Sequence, residues 1–123
     1  VLLSVGGQDY YYDQGVYYEP SASGYTVIAA PTGAAISQLP GGYETITLGD
    51  AVFYYWGGVF YVEENGSYKV IPAPEGAIIT HLPEGASEQQ INGITYLLYN
   101  GTYYLPISQN GRDAYQVVQM QER

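Results

Sequence analysis

Apolar and aromatic positions come in short runs, cut by glycine, proline or Asn-Gly before any run completes two helical turns. Glu44–Leu48, Val52–Trp56, Val59–Glu63 and Tyr68–Ile71 are rich in β-branched and aromatic residues, the composition of half-buried strands. Asn-Gly pairs at Asn65, Asn92, Asn100 and Asn110 separate such runs. Asparagine and glycine both accept the positive φ of a type I′ turn, so each pair predicts a tight hairpin reversal. With 16 Gly and 7 Pro, and no capped segment of helical periodicity, the pattern predicts an all-β chain.

The runs repeat. Gly15-Val16-Tyr17-Tyr18 returns as Gly58-Val59-Phe60-Tyr61 and as Gly101-Thr102-Tyr103-Tyr104, each 43 residues on. Tyr25–Pro31 falls on Tyr68–Pro74, and Gly33–Pro40 on Gly76–Pro83, at the same spacing. A fixed period of this length marks a copied supersecondary unit. The third copy slips by four residues at Ala114–Val118, an insertion assigned to a loop around Gln109 to Asp113. In Pro-x-Gly-Ala-x-Ile-x-x-Leu-Pro, Ile36 and Leu39, like Ile79 and Leu82, are three apart, which suits a short helical turn or a bulged strand. The prolines place this segment at an edge or a bend.

About five short strands per unit suggest tandem small SH3-like barrels, with a continuous antiparallel meander as the alternative. The reading divides the chain into an N-terminal hairpin at 1–23, a full β module at 24–66, and a second at 67–123 that ends in a terminal strand. Units this small bury little apolar area alone, so they are expected to pack on each other.

Charge and composition narrow the partners. Twelve acidic residues against three basic ones give −9, and Lys69, Arg112 and Arg123 are too few to form a phosphate-binding patch. Nucleic acid and anionic membrane surfaces are therefore disfavoured. Val1-Leu2-Leu3 is too short for a signal or membrane segment, so no membrane insertion of this chain is expected. A start at Val1 without methionine resembles a mature exported protein or a trimmed one.

The sixteen tyrosines are the compositional anomaly. Consecutive strand residues point to opposite faces, so Tyr10-Tyr11-Tyr12, Tyr17-Tyr18, Tyr54-Tyr55-Trp56 and Tyr103-Tyr104 cannot all lie inside. Tyr18, Tyr61 and Tyr104 are constant between copies, as a structural position would be. The column Asp13, Trp56, Tyr99 varies, as an outward position would. Trp56, Tyr54, Tyr99 and Tyr11 are thus the candidate ligand-binding residues, with tyrosine and tryptophan offering an apolar body and a polar handle.

Catalytic chemistry finds little support. There is no cysteine, so thiolate metal sites are excluded, and His81 is the single histidine, with Gln38 in its place one copy earlier. No Gly-x-Ser-x-Gly elbow is present. Glu19, Glu44, Asp50, Glu75, Glu84, Glu88 and the Glu63-Glu64 pair read as solvated turn charges. No calcium loop occurs, and no cofactor or metal is expected. Asn65-Gly66-Ser67 and Asn100-Gly101-Thr102 fit the glycosylation acceptor pattern, though the hairpin turns account for both.

Gly24–Gly42, Asn92–Gly101 and the three Gly-Val-Tyr-Tyr copies resemble a group of exported bacterial proteins of unknown function built from tyrosine-rich repeats. That resemblance spans nearly the whole chain and implies a secreted or envelope location without supplying a catalytic residue. A looser likeness to bacterial SH3-like wall-binding modules rests on size and strand pattern alone. The expectation is a noncatalytic binding or structural element at the cell envelope. It would contact a glycan such as a peptidoglycan fragment through the named aromatics, or a protein partner by strand addition or an aromatic face. A carboxylate-dependent hydrolase and a self-assembling structural protein are the alternatives.

Overall fold

Residues 1–120 are described by the computed structural model, and every regular element among them is a strand. β1 (Leu2–Val5), β2 (Gln8–Asp13), β3 (Val16–Ser21) and β4 (Gly24–Ile28) form an antiparallel meander in that order. The meander recurs as β6 (Glu44–Leu48), β7 (Ala51–Trp56), β8 (Val59–Glu64) and β9 (Ser67–Ile71). It recurs again as β11 (Ser87–Ile91), β12 (Ile94–Tyr99), β13 (Thr102–Gln109) and β14 (Arg112–Val118). The four Asn-Gly pairs make the predicted turns, with φ of 54° at Asn65 and 80° at Gly66, and like values at the other three.

The ambiguous Pro-x-Gly segment is a strand. β5 (Ala35–Ile36) pairs with β9, and β10 (Ile78–Ile79) pairs with β14, so each linker adds a fifth strand to the sheet that follows it. Two backbone bonds fix the docking in each case. Gly33 N–H donates to the Val70 carbonyl at 2.9 Å, and Val70 N–H to Ala34 at 2.8 Å. Gly76 and Val117, then Val117 and Ala77, repeat the pattern at 2.9 and 2.8 Å. Ala34 and Ala77 are fully buried, which only a small side chain permits at this contact, and Ile36 and Ile79 are buried beside them.

The sheets therefore run over 2–28, 35–71 and 78–118. The sequence boundaries at 23/24 and 66/67 fall inside the β3–β4 and β8–β9 hairpins, while 121–123 lie outside the described residues. All-β architecture stands, but none of the sheets closes into the expected barrel. Closure would require β5 to pair with β6, and β5 has two residues where a barrel staves need full-length partners. The apolar faces are covered instead by the next sheet. The four-residue insertion also differs from expectation: β13 and β14 are each two residues longer than β8 and β9, and the Asn110-Gly111 turn stays tight.

Two cores lie between successive sheets. One joins Tyr17 of β3 to Ala34, Ile36, Tyr61 and Val70; the other joins Ile46, Tyr55 and Phe60 to Ala77, Ile79, Tyr104 and Val117. The doublet in each Gly-Val-Tyr-Tyr copy is thereby explained. Where a neighbouring sheet is described, the first aromatic (Tyr17, Phe60) faces the following sheet and the second (Tyr61, Tyr104) the preceding one, as strand alternation requires. Tyr17 and Tyr61 meet hydroxyl to hydroxyl at 2.9 Å in the first core. At the second, Phe60 occupies the Tyr17 position. Tyr17→Phe strands the buried Tyr61 hydroxyl and is expected to cost roughly 1–3 kcal/mol in urea unfolding. The Tyr17→Phe/Tyr61→Phe pair should recover most of that loss; an additive double variant would show that the two hydroxyls are not coupled.

Candidate functional site

The linker after each of the first two units passes beside the first hairpin of that unit, and a cleft opens between them. After the second unit this cleft measures about 330 Å³ and is lined by Glu44, Tyr55, Trp56, His81, Leu82 and Pro83, with Gly42 and Gly57 at its rim. Glu44 opens β6, and its carboxylate accepts the Thr80 N–H at 3.0 and 3.2 Å. That bond pins the linker. Tyr55 Oη donates to the His81 carbonyl at 2.8 Å, and Trp56 Nε1 donates to the Gly41 carbonyl at 3.0 Å. Burial, with Tyr104 as the next cause, holds the Tyr55 phenol well above its usual value, so it acts as a fixed donor. His81 reaches outward, its Nδ1 3.6 Å from Glu44 Oε2 and 3.0 Å from Thr80 Oγ1.

The same place after the first unit holds a cleft of about 500 Å³ lined by Val1, Leu3, Tyr12, Gln38, Leu39 and Pro40 among others. Position for position, Val1 replaces Glu44 and Gln38 replaces His81. The two clefts share a place in the repeat and differ in size and polarity.

The four candidate aromatics do not converge. Trp56 is half-buried and wedges its ring against Gly15, and Tyr99 does the same against Gly58. Each plugs the hairpin turn of the preceding unit, so the outward reading of this column is corrected. Asp13 heads the column, in the first of the three sheets, where no preceding sheet is described for an aromatic to plug. Tyr54 is half-buried and packs edge-on between Tyr43 at 5.8 Å and Tyr68 at 5.5 Å. Tyr11 is exposed and lies against Tyr18 at 6.1 Å and Tyr25 at 5.5 Å, on the outer face of the first sheet.

Sequence reasoning missed the joining of Glu44 to the Thr80-His81 linker. The signal was a paired change between copies, Val1 with Gln38 against Glu44 with His81. The remaining carboxylates named as turn charges are exposed. Among the described residues, no group of three or more histidine and carboxylate side chains could hold a metal ion, and Arg123 lies outside them.

These features define an all-β repeat protein of open sheets stapled by linker strands. The chain belongs to a family of unknown function, DUF6515, whose model matches residues 1–121. No curated protein and no solved structure matches it.

Proposed function

We propose that the chain is a noncatalytic, exported repeat protein of the bacterial cell envelope, and that it binds a glycan fragment in the cleft beside Trp56. The observation that carries this reading is the pairing, in one cleft, of an aromatic wall with Glu44 and His81. Sugars suit such a site because their apolar faces stack on aromatic rings while their hydroxyls take polar partners. Its volume lies at the lower end of the range for small-ligand sites. Glycoside hydrolysis by two carboxylates lacks support here: Glu44 is the only carboxylate lining the cleft, and both its oxygens hold the Thr80 N–H.

Trp56 is the one tryptophan of the chain, so its emission reports on its own surroundings, this cleft on one side and the Gly15 turn on the other. Titration with peptidoglycan fragments is expected to give a saturable change. His81→Ala, at an exposed side chain, should weaken binding by roughly five- to tenfold, the worth of about one hydrogen bond. Flat emission across a panel of oligosaccharides would remove glycans as the ligand class.

A further inference from the structure

We propose that the free edge of β4 is a docking site for an extended segment of the Pro-x-Gly-Ala-x-Ile type, the linker of a further repeat unit of this kind. The inference goes beyond the binding reading above and concerns a different surface.

Two of the three sheets take such a strand, and the first does not. β5 caps β9 and β10 caps β14, whereas β4 is the edge strand of its sheet. By the period, Val27 holds the place of Val70 and Val117, and it pairs with Tyr18 as Val70 pairs with Tyr61 and Val117 with Tyr104. In that register the valine N–H and C=O point away from the neighbouring strand, and at Val70 and Val117 both are taken by the linker. Burial records the consequence. Val70 and Val117 are 3% exposed, and Val27 is 63% exposed. Tyr25 beside it is 55% exposed and Tyr18 is only half-buried, although Tyr61 and Tyr104, its counterparts, are buried.

An exposed edge flanked by apolar side chains is a template for strand addition. The occupant is specified by what the other two sheets accept. It must be extended, carry a residue no larger than alanine opposite the valine, and present isoleucine two positions further on, as Ala34-Ala35-Ile36 and Ala77-Ile78-Ile79 do. The segment Pro31–Pro40 carries no charge, which suits an edge on a chain of net charge −9. A second copy of this chain is a poor donor, because both its linkers are already bonded to β9 and β14.

The test has two arms, both read at the Val27 amide by hydrogen exchange and NMR. In one, a synthetic peptide of the sequence Pro31–Pro40 is titrated into the chain. In the other, a copy of residues 31–43 is grafted directly ahead of Val1, which stands in the Glu44 column, so the grafted strand inherits the native spacing. Pairing in either arm should slow Val27 exchange by about tenfold or more. Ala34→Arg within the peptide or graft should abolish the slowing at Val27, and Val27→Pro, which deletes the outward N–H at an edge that tolerates proline, should abolish the shift changes that peptide or graft produces at the Tyr25 amide. Unchanged Val27 exchange in both arms overturns the proposal. Slowing that rises with protein concentration in the absence of peptide also overturns it, in favour of a second copy. An unresponsive Trp56 in the glycan titration leaves the Val27 result untouched, so the two readings fail separately.

Discussion

Replacing Gly15 by alanine is expected to destabilise the protein by roughly 3 kcal/mol or more, while the same change at Gly101 costs only about 1 kcal/mol. Both glycines open the same Gly-Val-Tyr-Tyr motif and both hold positive φ, +93° at Gly15 and +79° at Gly101. Backbone strain is therefore common to the two. The space around them is not. A Cβ on Gly15 would lie 2.2 Å from Trp56 Cζ3, and one on Gly58 would lie 2.3 Å from Tyr99 Cε2, but nothing stands within 4 Å of Gly101. Trp56 cannot swing aside freely, because its indole N–H is tied to the Gly41 carbonyl. The difference between the sites isolates the plugging of one unit's turn by the next unit's aromatic. For a domain of this size such a loss should lower Tm by on the order of 10 °C. Trp56→Ala in the Gly15→Ala background should show a favourable coupling, since it removes the clash. Equal losses at Gly15, Gly58 and Gly101 would reduce the motif glycine to a matter of turn strain alone.

The strands, turns and period were legible because each rests on local chemistry: branched and aromatic runs, Asn-Gly dihedrals and identical spacing. What crosses between units was not. Trp56 and Tyr99 looked variable and so outward, yet both are fixed by a glycine 41 residues earlier in the preceding copy. Variation in that column reflects a choice between two ring types that can fill one notch. Barrel closure was inferred from strand number, but a linker strand that joins the following sheet leaves each sheet open and passes its apolar face to a neighbour. The segment Gly33–Ile36 held a legible clue in its alanine, since a buried small residue amid aromatics marks a close backbone approach. Of the cleft, Trp56 was readable as the sole tryptophan. The Glu44 contact with Thr80 depends on the linker's path and was not.

High pH is expected to unfold the protein cooperatively, because its cores are held by tyrosines that must stay protonated. Tyr17, Tyr55, Tyr61 and Tyr104 are each 2% exposed or less. Burial pushes the Tyr17 phenol up to about 12, and holds those of Tyr55, Tyr61 and Tyr104 further above the ordinary 10.0. The hydroxyl pair opposes the shift at Tyr17, because a Tyr17 phenolate can still accept from the Tyr61 hydroxyl, and adds to the shift at Tyr61, which on ionising would lose the bond it donates and face the charge beside it. The folded pKa values thus lie above the unfolded one, so the stabilisation is fully present below pH 10 and is lost as pH rises through the folded values. Each such tyrosine removes at most about 1.4 kcal/mol per pH unit in that window, and four together at most about 5 to 6 kcal/mol per unit. Against a total stability of roughly 5–15 kcal/mol, unfolding should fall between about pH 11 and 13. Phenolate absorbance recorded alongside circular dichroism checks this: the buried set should ionise together with loss of strand signal. A single smooth titration complete near pH 10 with the strand signal unchanged would mean that solvent reaches these phenols in the folded state, and the inter-sheet cores would then have to be held by the aliphatic residues Ile36, Val70, Ile79 and Val117 instead.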